Sequence, residues 1–143
     1  MSFVRELLDQ GLINESKLQK LINISETKFN GDINEAISSD EELDQEKIFH
    51  VKSKYFGIPE ISVSGQKLDP TLLNYIPEES VVQYKIAPVG LDAGVLNIGV
   101  VDPSNTQAMD AIQFISSKNG VPYKIFLLSE KDFQYVIESY KGL

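Results

Sequence analysis

Hydrophobic residues recur at helical spacing at the start of the chain, where Phe3, Leu7 and Leu8 share one helix face. Gly11 follows at the position where a left-handed residue ends a helix. Asn14 then begins a second helix as its N-cap. The inward face of that second helix carries Leu18, Leu21 and Ile22. The pattern therefore predicts two short helices joined by a turn.

This helix-turn-helix pattern recurs thirty residues later in the chain. Residues 42–48 repeat the order of residues 12–18, with an apolar residue, an Asx cap, a lysine and a second apolar residue in register. The agreement weakens before the two caps, so the start of the second copy has diverged. We interpret the pattern as an internal repeat of one helix-turn-helix unit.

The pattern changes in the second half of the chain, where Pro70 and Pro77 each mark the start of a helix. Alternating apolar and polar residues then predict a β-hairpin, with strands at residues 85–89 and 95–101 and a turn through residues 90–94. Gly, Pro and Ser are concentrated around residues 58–65 and indicate a boundary there.

A helix and a third strand follow the hairpin. The inward face of the helix carries Ala108, Ala111, Ile112 and Ile115, and the strand occupies residues 123–128. A strand, a helix and a strand of this length form a crossover unit, which pairs the two strands in parallel. A last helix begins at Ser129 with a capping-box-like pattern. Its inward residues are Phe133, Val136, Ile137 and Tyr140.

These elements predict an α+β or α/β protein with two subdomains. Residues 1–65 form a helical subdomain with two degenerate helix-turn-helix repeats. Residues 66–143 form an α/β subdomain, in which helices pack against a small mixed three-stranded sheet.

Composition narrows the classes of partner and chemistry. The 143 residues include 21 acidic and 13 basic side chains, giving a net charge of −8, which disfavours binding to nucleic acid or anionic membranes. There is no cysteine and one histidine, so no disulfide framework, thiolate site or histidine cluster is expected, and no metal. No apolar run approaches about 18 residues, so we expect a cytoplasmic protein without direct membrane insertion.

The sequence contains no phosphate loop, nucleophile elbow or other catalytic motif, which predicts a protein that is not an enzyme and has no cofactor. Residues 102–105 offer an anion-binding turn or, as we favour, a plain helix cap. The acidic residues 40–42 offer a cation site or, as we favour, a solvated run beside a helix start.

Two further features have a functional and a plainer interpretation. His50 has no second histidine or cysteine with which to share a metal, so we favour a surface or core-edge position. Tyr55 and Phe56 are candidates for stacking on a nucleobase, but we favour packing at the junction of the subdomains.

Five segments, taken in order, resemble the N-terminal domain of type II secretion and type IV pilus assembly ATPases. That domain has a G-L-P segment, an I-P-E-E helix, a Y-x-x-x-P strand, a strand ending in D-P and a terminal helix ending in Tyr. The corresponding residues here are 55–59, 72–79, 84–90, 96–104 and 137–140. The similarity covers essentially the whole chain.

The resemblance implies a regulatory and docking module. In such ATPases this domain precedes the motor core, which hydrolyses ATP, and binds inner-membrane assembly proteins on the cytoplasmic face. The expected partner is thus a cytoplasmic domain of an inner-membrane secretion or pilus component, which would recruit the protein to the inner membrane. The downstream ATPase core is a further partner if the chain is a fragment and not a free-standing relative.

One branch of that family binds cyclic di-GMP through two tandem copies of a motif that begins R-L-G, and the thirty-residue repeat falls where these copies would lie. Residues 2–4 replace R-L-G in the first copy, and Glu41 replaces a glycine in the second. A dianionic ligand needs charge-assisted donors, and the motif arginines are absent. The first copy retains Leu7, Leu8, Gly11, Leu12, Ile13 and Leu18.

The sequence therefore favours a docking module, with a cyclic di-GMP sensor as the alternative and a stand-alone enzyme as a third class. The first helix is a candidate docking element because helix-in-groove binding uses anchors at this spacing. Its candidate partner-binding residues are Phe3, Val4, Leu7 and Leu8. The alternative for these side chains is simple packing against the second helix.

Overall fold

The computed structural model describes residues 2–143, and these divide into two compact units. Unit 1 extends to Gly57 and unit 2 begins at Ile58. Unit 1 is helical, and unit 2 contains helices and a small mixed sheet of three strands. The predicted α+β class is confirmed.

Unit 1 contains two helix-turn-helix pairs. Their helices are α1 (Ser2–Asp9), α2 (Glu15–Lys28), α3 (Ile33–Ser39) and α4 (Gln45–Phe56). Asn14 caps α2 by accepting a hydrogen bond from the Lys17 N–H at 2.7 Å, and Asp44 caps α4 through the Lys47 N–H at 3.1 Å. Equivalent caps thirty residues apart therefore start equivalent helices.

The helix α3 was not predicted, because its sequence has diverged from that of α1. It is formed by local signals: the Asp32 carboxylate accepts hydrogen bonds from the N–H groups of Asn34 and Glu35 at 3.0 and 3.2 Å. Ala36 and Ile37 then bury their side chains in the core of unit 1. That core consists of Phe3, Val4, Leu7, Ile13, Leu18, Leu21, Ala36, Ile37 and Ile48.

Unit 2 follows the predicted order of elements. It contains α5 (Pro70–Leu73), α6 (Glu78–Tyr84), β1 (Ile86–Asp92), β2 (Val95–Val100), α7 (Thr106–Asn119), β3 (Tyr123–Leu127) and α8 (Glu130–Lys141). The strand order is β1-β2-β3, with β1 and β2 antiparallel and β2 and β3 parallel. The predicted hairpin and crossover unit are both present.

The hairpin turn is tighter than the five-residue turn expected from the sequence. Strand β1 continues to Asp92, which pairs with Val95, so only Ala93 and Gly94 form the turn. Both turn residues have positive φ, at 51° and 82°, as a two-residue turn matched to the strand twist requires. The alanine at the first position hid this turn from the sequence pattern.

The connection between the units lies earlier than the expected boundary after Gly65. The segment that follows Gly57 runs beside β3, where the Leu127 N–H donates to Pro59 O at 2.7 Å and the Ile61 N–H donates to Leu127 O at 3.1 Å. Val63 is fully buried in the core of unit 2. This segment therefore belongs to unit 2, because its backbone hydrogen-bonds to Leu127 and its Val63 side chain packs in the core there.

The last helix, α8, attaches the preceding segments of unit 2 through buried polar contacts. The Asp132 carboxylate accepts hydrogen bonds from the Val63 N–H at 3.0 Å and from the Ser64 hydroxyl. The Tyr140 hydroxyl donates to the carbonyls of Leu73 and Ile76, at 2.9 and 2.7 Å. Burial, with a smaller contribution from the carboxylate of Glu78, raises the pKa of the Tyr140 hydroxyl, so it remains a donor at neutral pH.

Candidate functional site

The predicted docking face of α1 lies inside unit 1. Phe3, Val4 and Leu7 are buried, with Leu7 fully inaccessible, and Leu8 is partly buried against the same core. The Phe3 ring lies 5.7 Å from the Tyr55 ring. These side chains are therefore not available to a partner in the folded unit, which corrects the docking expectation.

The plainer interpretation of α1 was packing against α2, but the helix packs against α4. Tyr55 and Phe56 on α4 both meet Phe3, and the Phe3 and Phe56 rings are 5.8 Å apart. Tyr55 and Phe56 meet each other edge to face at 5.0 Å. These aromatic residues thus pack within unit 1, so they hold its first and last helices together.

The motif residues of the first repeat divide between the core and a surface groove. Leu7 and Leu18 are buried in the core, and Leu8 packs against it. The turn between α1 and α2 faces a groove of about 340 Å³ within unit 1. The lining from the second repeat is Glu42 and Leu43, and the lining from the first repeat is Gly11, Leu12, Ile13, Asn14, Ser16, Lys17 and Lys20.

An ion-pair cluster joins the two repeats at this groove. The Lys17 ammonium lies 2.7 Å from Asp40 Oδ2 and 2.5 Å from Glu42 Oε1. The side chains of Lys17 and Asp40 are 19% and 13% exposed, whereas Glu42 is 83% exposed. The cluster therefore has a shielded pair, Lys17 and Asp40, and a solvated outer member.

The cluster shifts the pKa values of Lys17 and Asp40. The hydrogen bonds to Asp40 and Glu42 raise the pKa of Lys17 above its usual value. Burial alone would raise the pKa of Asp40, but the hydrogen bonds from the Lys17 ammonium and the Glu42 N–H outweigh it and leave the pKa lowered. Both groups therefore stay charged over the neutral range.

The loop that presents the two carboxylates is held by its own hydrogen bonds. Asp40 Oδ1 accepts from the Glu42 N–H at 2.8 Å. The Gln45 side-chain amide donates to the carbonyls of Ile37 and Asp40, at 2.8 and 3.0 Å. Sequence reasoning placed residues 40–42 in a solvated run and missed this contact, because Lys17 is 23 residues away from Asp40.

The groove of unit 1 is poorly suited to a phosphate ligand. An anion that approached Lys17 would have to displace Asp40 or Glu42 from the ammonium and would meet the negative charge of both. No arginine lines the groove in the part of the chain that the structure describes. Lys17, Asp40 and Glu42 therefore pair with one another without a ligand, and the second lysine of the lining, Lys20, is exposed.

A larger groove, of about 690 Å³, lies in unit 2 between α6 and α7. Its apolar lining includes Tyr75, Tyr84, Ala111 and Ile115, and the Phe114 side chain beside them is 68% exposed. Gln83 and Gln107 supply amide groups to its walls. Such a surface combines an aromatic anchor with polar groups that can pair with a peptide backbone.

Sequence reasoning did not identify the groove of unit 2. It assigned the inward face of α7, and Ala108, Ile112 and Ile115 are buried there as predicted. The available signal was Phe114, an aromatic residue on the outward face of an otherwise amphipathic helix. The second wall comes from α6, which is more than twenty residues earlier in the chain.

Two other candidates have local structural roles. Asn105 caps α7 by accepting from the N–H groups of Gln107 and Ala108, and Asp102 accepts from the Ser104 hydroxyl at 2.6 Å, which confirms the cap interpretation of this turn. His50 is half exposed and lies 3.7 Å from Glu46 one turn earlier on α4.

Residues 2–143 were considered for a metal site and for a membrane-spanning helix, and they contain neither. No group of three or more His, Asp or Glu side chains among them is placed to hold a metal ion. No helix among them has both the length and the apolar character needed to cross a bilayer.

Comparison with known proteins gives matches in sequence and in fold. The chain is 26% identical over 135 residues to the type IV pilus assembly ATPase PilB of Myxococcus xanthus (strain DK1622), and this match includes 94% of the chain and 23% of the relative. The chain thus spans less than a quarter of that protein. A second PilB, from Acinetobacter baylyi, is 29% identical over 122 residues.

Solved structures show the same fold at low sequence identity. MshE, solved with cdg, superposes with a TM-score of 0.71 at 17% identity, over 96% of this chain and 97% of that one. The N-terminal domain of XpsE gives a TM-score of 0.67 at 18% identity, over 96% and 92% of the two chains. The profile of the MshEN domain matches residues 56–143, which include all of the described sheet and the groove between α6 and α7. The chain belongs to the MshEN domain family.

Proposed function

We propose that this MshEN domain is a non-catalytic docking module of a type IV pilus assembly or type II secretion ATPase. Its partner is the cytoplasmic domain of an inner-membrane platform or adaptor protein. Membership of the family and the similarity to PilB support this role. When the chain is part of a longer ATPase, the motor core is covalently attached to it. Binding of the partner by this domain then also positions the motor core.

The observation that carries the proposal is the groove between α6 and α7. Phe114 is 68% exposed, and two partly buried tyrosines, Tyr75 and Tyr84, line the same groove, so Phe114 is not an isolated apolar side chain. Exposed aromatic residues of this kind are enriched at binding hot spots. We assign docking to this groove and not to α1, because the apolar residues of α1 are buried.

The test is calorimetric titration of the chain with purified cytoplasmic domains of the pilus or secretion assembly proteins encoded in the same genome. We expect one of them to bind, and the Phe114→Ser variant to bind it at least about tenfold more weakly, as expected for loss of an aromatic anchor. Val82→Ser is the matched control, because Val82 is 52% exposed on α6 but does not line the groove.

Both substitutions replace exposed side chains, so both variants should unfold at the same temperature as the parent chain. Binding by none of the assembly proteins would contradict the docking role. Equal weakening by Phe114→Ser and Val82→Ser would contradict the assignment of the groove.

A cyclic di-GMP sensor is the second candidate, and the similarity in fold to MshE, solved with cdg, favours it. Against it stand the two carboxylates on Lys17 and the absence of the motif arginines. Titration of the chain with cyclic di-GMP separates the candidates. We expect no heat of binding, and a submicromolar dissociation constant would favour the sensor.

A further inference from the structure

The internal repeat of unit 1 places two lysines at equivalent positions, and the structure uses them differently. Lys17 and Lys47 each follow a helix cap by three residues, on α2 and α4. The Lys47 side chain is 71% exposed, and its ammonium lies 3.9 Å from its own cap residue, Asp44. Lys17 instead reaches across to the second repeat and is shielded from solvent.

The residues that receive Lys17 are also specific to one copy. Asp40 and Glu42 lie in the turn before α4, and the equivalent positions in the turn before α2 are Gln10 and Leu12. The acidic side chains therefore occur only in the second turn, opposite the lysine of the first repeat. Two of the three charged side chains, those of Lys17 and Asp40, are less than one-fifth exposed.

We propose that the contact of Lys17 with Asp40 and Glu42 is an internal clasp that joins the two repeats at the groove. The clasp holds α2 and the turn before α4 together, so unit 1 keeps the arrangement of its repeats without a bound ligand. The carboxylates of Asp40 and Glu42 occupy the position on the ammonium that an anionic ligand would need. The contact is thus autoinhibitory toward anion binding at the Lys17 ammonium.

This inference does not depend on docking at the groove between α6 and α7. The clasp lies wholly within residues 17–42 of unit 1, and the docking groove lies wholly within unit 2. The clasp is tested on the chain alone, so a failure to find a protein partner leaves this test unaffected.

The experiment is amide hydrogen exchange measured by mass spectrometry on the whole chain. Lys17→Met keeps most of the side-chain stem and removes the charge, and we expect residues 40–44 to exchange about fivefold faster as the turn opens more often. Lys47→Met removes the equivalent charge of the second repeat, whose partner is Asp44, and should leave the exchange of residues 40–43 unchanged. Equal effects of the two substitutions would overturn the proposal.

A milder pair of variants keeps the test decisive if Lys17→Met does not fold. Glu42→Gln removes the outer carboxylate of the clasp and should accelerate exchange of residues 40–44 by about twofold. Glu41→Gln removes the neighbouring exposed charge and should have no effect. An acceleration by Glu41→Gln as large as that by Glu42→Gln would contradict a specific clasp.

Hydrogen exchange also tests whether unit 1 keeps the arrangement of its repeats without a bound ligand. Cyclic di-GMP added in excess to the parent chain should leave the exchange of residues 10–20 and 40–44 unchanged. Protection of these residues by cyclic di-GMP would show that the groove binds this anion despite the clasp and would overturn the proposal.

Discussion

Gly99 shows how closely the sheet of unit 2 is packed at the scale of one residue. A Cβ added at this position would lie 3.1 Å from both Cβ and Cδ2 of Leu128 and 3.3 Å from Cγ1 of Val89. Leu128 and Val89 are both buried, so neither side chain can move into solvent. We expect Gly99→Ala to lower the free energy of unfolding by about 1–3 kcal/mol, as overpacking does in other cores.

Urea denaturation of Gly99→Ala and Gly90→Ala provides the measurement and its control. Gly90 lies on the neighbouring strand β1, and a Cβ there would meet Asn97 Nδ2 at 3.4 Å, an ordinary contact. Neither glycine has a positive φ, so the difference between the variants reports packing and not backbone strain. A loss of stability for Gly90→Ala as large as that for Gly99→Ala would refute the packing explanation.

At the scale of elements, the ion pair between α2 and the turn before α4 makes the stability of unit 1 depend on pH. The pKa of Asp40 is lowered in the folded chain, so its contribution to stability is present above the usual value of 3.8 and is lost as pH falls through the folded value. The pKa of Lys17 is raised, so its contribution is present below 10.5 and is lost as pH rises through the folded value.

We therefore expect Asp40→Asn to be less stable than the parent chain at pH 6 and to approach it in stability as the pH falls below about 3.8. Urea midpoints measured by circular dichroism between pH 3 and pH 6 give this difference. Asp92→Asn is the control, because Asp92 lies at the exposed end of β1. A gap between parent and Asp40→Asn that stays constant across this range would show that the ion pair does not stabilise the fold.

The elements that could be predicted from the sequence are those fixed by neighbouring residues. Asn14, Asp44 and Ser129 each cap a helix within three residues of themselves, and all three helix starts were predicted. The helix α3 was missed, because its seven residues have diverged from the sequence of α1. The candidate site was missed for a different reason: the clasp and the groove in unit 2 each combine elements that are distant in the chain.

At the scale of the whole molecule, each of the two units has its own hydrophobic core. The sequence placed the boundary after Gly65, where Gly, Pro and Ser are concentrated. Residues 58–65 nevertheless contribute Val63 to the core of unit 2, and their backbone pairs with Leu127. Turn-forming residues mark where the chain bends, whereas a unit ends where its contacts end.

The two boundaries make different predictions about which fragment folds. Residues 58–143 include Val63 and the partners of the Asp132 carboxylate, so we expect this fragment to unfold cooperatively. Residues 66–143 lack the apolar burial of Val63, worth about 1.5–3 kcal/mol, and leave the Asp132 carboxylate without its two donors, the Val63 N–H and the Ser64 hydroxyl. In thermal denaturation, the shorter fragment should therefore unfold at a lower midpoint temperature than residues 58–143, or show no cooperative transition.

A third fragment separates the two causes of that loss. Residues 58–143 carrying Val63→Ala keep the backbone pairing with Leu127 and the hydrogen bonds to Asp132, and lose only the buried side chain. We expect its midpoint temperature to lie between those of the two other fragments. Both the Val63 side chain and the polar contacts attach residues 58–65 to the rest of unit 2. Equal stability of the 58–143 and 66–143 fragments would instead place residues 58–65 outside the cooperative unit, and the boundary after Gly65 would then be the correct one.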